Sequence, residues 1–358
     1  CLHGHTLHSR ESLEFLTAIL ARSSPLEWAA RCQLRRNPRG PSSIDFSRLW
    51  WTPPLSARQF WEMETRQVEN QLCLKAVVSI TDHDNLDAPM SLRVLEGSVD
   101  TPLSLEWTVP YQNTFFHLGV HNLPADEAHS LFAAMRNYTA APSSEGLDDV
   151  LAELDQHREV LIVLNHALWD ETGVGKDRHR QCLDAFLGRF SERIHALEWN
   201  GFRSRRENLA VAALASSRGI PLAAGGDSHG RRPSTVINLS EADCLSEFVL
   251  DIRRRRQPAI AIMPEHREHR TLRILEAVCE VLREDPSHGL GWKRWGDRVF
   301  YRNDAGATVP LSSYWRESAV PFIIRTFVGL MFLVDAGLGH SQLRQAMRLA
   351  LARSEEAA

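Results

Sequence analysis

The sequence predicts an α/β fold, a parallel sheet or barrel of strands covered by helices. Two observations predict it. From residue 74 to about 230, short apolar runs alternate with helical patterns. Near-continuous apolar strands interleaved with helices indicate a sheet buried on both faces. The runs also end in polar, ligand-capable residues, and β/α barrels place their active sites at such strand ends. At 358 residues the chain can bury one large core, with or without an appended module.

The elements follow in order. The first is the opening stretch "CLHGHTLHS", and the strand runs after it are "LKAVVSITDHD" (74–84), "LSLEWTVP" (103–110), "FFHLGVHNL" (115–123), "EVLIVLNHA" (159–167), "IHALEWNG" (194–201) and "IPLAAGGDSH" (220–229). Helical patterns lie between them, among them "GLDDVLAELDQHR" and "RENLAVAALASSRG". Residues 23–70 are rich in Pro, Arg and Trp and have no sustained period until a helix through "ARQFWEMETRQVENQ". This is an insertion after the first strand, whose Trp50, Trp51 and Trp61 form either a lid or a satellite core. "LSEADCLSEFVLDIRRRRQ" predicts a helix capped by Ser240, with Glu241 and Asp243 in its first turn and Arg253–Arg256 closing it. The domain division expected is 1–265 for the barrel and 266–358 for a mainly helical accessory module, with a small hairpin within "GWKRWGDRVFYRNDAGATVPLSSYW".

Bulk properties exclude some functions. A net charge of −4, with no long basic stripe, disfavours nucleic acid as a partner. Six cysteines without a C-x-x-C pair, and no visible signal peptide, predict a reduced, cytoplasmic setting. Residues 320–339 approach membrane-spanning length, but Arg325 and Asp335 interrupt them. They predict a buried helix or one facing a protein partner or a second copy.

Chemistry concentrates in the strand runs. His3 and His5 stand two residues apart, as do Asp227 and His229, and such pairs share one face of a strand. A lone H-x-H is weak evidence of a metal. Here H-x-H, the Asp82-His83-Asp84 triplet, a strand Glu106, the histidines His117 and His166 and a closing D-x-H occur in order. Imidazole and carboxylate donors gathered from distant positions suit Zn²⁺, Mn²⁺ or Fe²⁺.

That ordered set resembles the polymerase and histidinol phosphatase family of metal-dependent phosphoesterases. "CLHGHTLHS" is similar to the family's D-L-H-x-H-T-x-x-S, "SITDHDN" to its T-D-H strand end and "AAGGDSHG" to its closing G-S-D-x-H. "LEWTVP", "FHLGVHNL" and "VLIVLNHA" stand where the family carries a bridging glutamate and two histidines. The likeness covers roughly residues 1–10 and 72–263. It implies a distorted (β/α)7, TIM-like barrel holding two or three divalent metals. His3, His5, Glu106 and Asp227 would hold the first; Glu106, His117 and His166 the second; His83 and His229 a third. Asp82 would orient a ligand imidazole. Two departures stand out: Cys1 replaces the leading Asp, and Arg10 follows Ser9 where many members carry a further ligand. Either His8 completes a third metal, or Arg10 binds substrate phosphate beside two.

The activity implied is hydrolysis of a phosphate ester of a small or nucleotide-like substrate by metal-activated hydroxide. Asp82 and His229 are the candidate catalytic groups, His229 as proton donor to the leaving group. Arg203, Arg205 and Arg206, just after "LEWNG", are candidate clamps for a non-reacting phosphate. Two other readings stay open: hydrolysis of another ester or amide bond, and a metal-stabilised scaffold whose C-terminal module binds a partner.

Overall fold

The computed structural model describes residues 1–14, 45–94, 101–314, 322–339 and 341–356; residues 23–44 of the insertion, including Cys32, lie outside them. In chain order the strands and helices are β1 (Glu11–Ser12), β2 (Leu49–Trp51), α1 (Ala57–Gln67), α2 (Asp87–Arg93), β3 (Leu103–Tyr111), β4 (Thr114–Leu123), α3 (Ala128–Ala140), α4 (Ser144–Gln156), β5 (Leu161–Leu164), α5 (Lys176–Phe190), β6 (Ala196–Asn200), α6 (Arg205–Arg218), β7 (Leu222–Gly225), β8 (Val236–Leu239), α7 (Leu245–Arg253), β9 (Ala259–Ile262), α8 (Arg270–Leu282), β10 (Val299–Arg302), β11 (Thr308–Pro310), α9 (Phe322–Gly339) and α10 (Ser341–Glu356). They form a mixed α/β protein of two compact units, Cys1–Ser9 with Leu55–Arg270, and Arg10–Pro54 with Thr271–Ala358.

The first unit is built on a five-stranded sheet in the order β3-β4-β5-β6-β7. An all-parallel sheet is not what forms. β3, β4 and β5 pair antiparallel, and only β5, β6 and β7 run parallel. The reason is local: only Gln112 and Asn113 separate β3 from β4, and Gln112 takes a left-handed φ of 53°. A two-residue connection can make only a hairpin.

The described strands do not close into a barrel. Residues 74–84, expected as a strand, form isolated backbone bonds instead. Ser79 N donates to Cys1 O at 2.9 Å, Thr81 N to Gly4 O at 3.0 Å and Glu106 N to Asp82 O at 3.2 Å. On the other side His5 N donates to Ser228 O and Asp227 N to His3 O, both at 2.9 Å. These single bonds run from β3 to the end of β7 through 79–84 and 3–5.

Both faces of the parallel strands are buried. Ile162 and Leu164 of β5 join Trp107, Leu118, Phe186 and Leu197 in the larger core, covered by α3 to α6. Leu161 and Val163 point the other way, to Ala223 and to Leu245, Phe248 and Val249 of α7. This alternation is the period of two expected of a strand.

α7 departs from expectation at both ends. Its N-cap is Cys244, whose side chain makes no capping bond, while Ser240 Oγ accepts from Ala242 N in the turn before. Glu247 closes that turn by accepting from Asp243 N at 2.8 Å. Arg253 is not a solvated terminus: it donates to Asp155 Oδ1 at 2.8 Å, to Asp155 O at 2.9 Å and to Val160 O at 3.1 Å.

The second unit carries an antiparallel sheet, β1-β2-β10-β11, beside its helices. Trp50 lies opposite Phe300, with ring centres 5.9 Å apart, and β10 and β11 make the expected hairpin. In α9, Met331 is buried while Phe327, Leu330 and Leu333 are exposed. No helix among the described residues is long and apolar enough to cross a membrane.

Candidate metal centre

Two backbone segments deliver the first ligands, and neither does so as a strand. His3 has a φ of 57° and Asp227 a φ of 51°, both left-handed. The same-face spacing of a strand therefore does not explain why His3 meets His5. The turn at His3 does: it brings Nε2 of His3 within 3.1 Å of Nε2 of His5. Asp227 follows the end of β7 and is pinned by its N–H on His3 O.

Four side chains converge there. His3 Nε2 lies 3.1 Å and His5 Nε2 3.3 Å from Glu106 Oε2, and both lie 3.7 Å from Asp227 Oδ1. A tetrahedron with bonds of about 2.0–2.2 Å has ligand–ligand edges of about 3.3–3.6 Å. The observed separations bracket that range, so these residues fit a divalent metal. All four are buried.

The other oxygen of Glu106 faces a second group. Oε1 lies 3.2 Å from His166 Nε2 and 3.7 Å from His117 Nδ1, and those nitrogens are 3.4 Å apart. Glu106 is not at a strand end but in the middle of β3, and His117 in the middle of β4; the hairpin sets Glu106 opposite Gly119 and Thr108 opposite His117, a register that puts both side chains on one face. His83 Nδ1 is 3.4 Å from Glu106 Oε2. The rings of His83 and His229 stack on either side of His5, at 4.7 and 4.3 Å between centres. His229 Nδ1 lies 3.0 Å from Asp227 O, an acceptor, so Nδ1 carries the hydrogen and Nε2 presents its lone pair.

The supporting groups were largely missed in the sequence. Glu198 Oε1 accepts from His3 Nδ1 at 2.5 Å, and Oε2 accepts from His166 N at 2.7 Å and Asn200 Nδ2 at 2.8 Å. A carboxylate on the far nitrogen of a histidine fixes its tautomer and aims Nε2 at a metal. Nothing in "IHALEWNG" singled out Glu198; the only available signal was a carboxylate one residue pair before a strand-end Asn. Asn165 Nδ2 donates to Glu106 Oε1 at 2.9 Å and Asn200 Nδ2 to Asp227 Oδ2 at 3.0 Å. Asp82, fully buried, accepts from Thr6 N at 2.5 Å and Thr6 Oγ1 at 2.7 Å, clamping the turn between His5 and Ser9.

The cluster is electrostatically tense. Burial works to lower the His3 pKa, yet Glu106, Glu198 and Asp227 lift it well above 6.5. Burial works to raise the Glu106 pKa, and His3, His83 and His117 hold it well below the usual carboxylate range. Asp227 is lowered in the same way, against burial, by His3, His229, His166 and His5. Burial pushes His117 down to about 3, a neutral imidazole. Ionised carboxylates and a neutral His117 are ready donors to a cation, whereas His3, with its raised pKa, must release a proton for its Nε2 to bind one.

Arg205 and Arg206 are exposed at the start of α6, whereas Arg203 is buried. Arg10 belongs to the second unit, where its guanidinium stands 5.7 Å from the Trp50 ring centre. His8 is partly buried, and burial lowers its pKa.

No family model and no curated protein matches the chain. Among solved structures it is similar to PsfC from Pseudomonas syringae PB-5123, at 17% identity and a TM-score of 0.41, over 61% of this chain and 88% of that one. It is also similar to a protein from Bifidobacterium adolescentis ATCC 15703 described as a "putative metal-dependent phosphoesterase", at 13% identity and a TM-score of 0.33, over 56% and 92%. At these scores the likeness fixes neither family nor activity. The functional reading rests on the chain's own side chains.

Proposed function

We propose that this chain is a metal-dependent phosphoesterase of the polymerase and histidinol phosphatase type, on a distorted β/α barrel. One observation carries the reading: both carboxylate oxygens of Glu106 face separate groups of imidazoles, His3 and His5 on one side and His166 and His117 on the other. A bridging carboxylate between two nitrogen-rich groups suits paired divalent ions. The assignment is His3, His5, Glu106 and Asp227 for the first ion, Glu106, His117 and His166 for the second, and His83 with His229 for a third. Zn²⁺, Mn²⁺ and Fe²⁺ match these donors.

Metal ions bound there would supply a nucleophilic hydroxide near neutral pH and neutralise charge on a phosphoryl group. The protein's own groups do the positioning. Glu198 holds the His3 tautomer, Asn165 and Asn200 restrain the two carboxylates, and Asp82 fixes the Thr6 turn. His229, with its hydrogen on Nδ1, offers Nε2 as a ligand to a third ion; with only two ions bound, its imidazolium form would instead protonate a leaving oxygen.

The test begins with elemental analysis of the purified protein, followed by assays on p-nitrophenyl phosphate and bis-p-nitrophenyl phosphate with Mn²⁺ or Zn²⁺. Glu106→Gln is expected to strip metal and lower kcat/KM by about 10²–10³. Bound metal without hydrolysis of any phosphate ester would sink the phosphoesterase assignment.

A further inference from the structure

The loop after β5, residues 165–175, carries more than His166 to the edge of the metal centre. Its path is fixed by its own polar groups. Trp169 N donates to His166 O at 2.8 Å. Asp170 accepts through Oδ1 from Val174 N and Thr172 Oγ1, both at 3.1 Å, and through Oδ2 from Gly175 N at 2.7 Å. An aspartate that satisfies several donors of its own loop holds that loop in one conformation. Thr172 Oγ1 lies 3.2 Å from Thr114 Oγ1, at the start of the strand that carries His117. Between these anchors stands Glu171.

Glu171 faces the second group of imidazoles. Its Oε2 lies 3.7 Å from His117 Nδ1, the same separation as between that nitrogen and Glu106 Oε1. It lines one small cleft with His117, Asn165, His166 and the rings of Phe115 and Trp169. Around the second ion's place, Glu106 Oε1 is 3.2 Å from His166 Nε2, and His166 Nε2 is 3.4 Å from His117 Nδ1. With the two separations of 3.7 Å, these edges bracket the about 3.3–3.6 Å expected around a tetrahedral ion. Charge points the same way. The first ion has Asp227 to itself and a share of Glu106, whereas neutral imidazole ligands bring the second no charge. Without Glu171 its one carboxylate is the shared one. The Glu171 side chain is 37% exposed, so its carboxylate reaches the cleft without the cost of full burial.

We propose that Glu171 is the fourth protein ligand of the second ion, completing Glu106, His117 and His166. The inference rests on the paired-ion phosphoesterase reading and deepens it. An ion with four protein donors, two of them carboxylates, is a resident of the protein and does not arrive with the substrate.

Zn²⁺ titration of the full chain, first stripped of metal and read against a chelating dye, tests this without any turnover. His117→Ala removes another ligand of the same ion and so identifies the binding step that belongs to it. Glu171→Gln keeps the size and removes the charge. It is expected to weaken that same step at least about tenfold, the smallest loss found even for a group that only orients a ligand. The other step should stay as it is in the parent. In protein loaded with Co²⁺, the visible d–d bands should change in Glu171→Gln, a response to altered coordination that a packing role would not give. Zn²⁺ steps or Co²⁺ bands unaltered by Glu171→Gln overturn the proposal and leave the paired-ion reading standing. No uptake of divalent metal by the parent overturns both.

Discussion

Glu198 is the residue on which the centre's precision turns. It joins three parts of the chain: His3 through Nδ1, the backbone of His166, and Asn200, which in turn holds Asp227. Its side chain is buried, so the charge is tolerated only because those donors surround it. Glu198→Gln keeps the shape but cannot serve as a pure acceptor towards His3, and the ring loses the group that fixes its tautomer. Metal affinity is expected to fall about 10–100-fold, as for other carboxylates that orient ligand histidines. A competition titration against a chelating dye measures this. An unchanged affinity would mean that Glu198 serves packing alone.

At the scale of the element, the ends of β7 and β6 must approach closely for that contact to exist. Gly225 closes β7, and a Cβ built there would stand 1.8 Å from Glu198 Oε1 and 3.0 Å from His3 Cβ. Only glycine leaves room for the carboxylate. Gly225→Ala is expected to cost about 1–3 kcal/mol through overpacking and to weaken metal binding in parallel. Thermal unfolding of metal-free protein and a metal titration would separate the two effects; full metal affinity with lost stability would show that Glu198 can move aside. What the sequence disclosed at this scale was element identity: β5, β6 and β7 and the helices between them follow apolar periodicity. His3, His5, His117, His166 and Asp227 are candidates from their places in the strand runs and from the family resemblance, and Glu106 from the resemblance, and the fold brings these six side chains together. Direction and local bends were not legible. Antiparallel β3 and β4 depend on a two-residue turn, and the meeting of His3 with His5 depends on a left-handed backbone that no periodicity encodes. Glu198 escaped notice because its role depends on a partner distant in sequence, His3.

At the scale of the whole molecule, buried histidines tie stability to pH. His121 is buried, shares a hydrogen bond with Ser79 Oγ through Nδ1 at 2.8 Å, and is pushed by burial from 6.5 down to about 3. The folded state therefore keeps it neutral where the unfolded chain takes up a proton. Because the folded pKa is depressed, its contribution to stability is fully present above pH 6.5 and is lost as pH falls towards 3. One such group changes unfolding free energy by up to about 1.4 kcal/mol per pH unit in that window. His3 and His166, whose pKa values are raised, act in the opposite sense: their contribution is present below pH 6.5 and fades as pH rises through their folded values. A raw stability profile of the metal-free protein mixes both. His121→Leu isolates one, because the replacement cannot titrate. Urea unfolding from pH 7.5 to 4.5 should show the variant less stable than the parent at neutral pH, with the gap narrowing steadily as the solution is acidified. A gap that stays constant with pH would mean that His121 takes its proton in the folded protein after all.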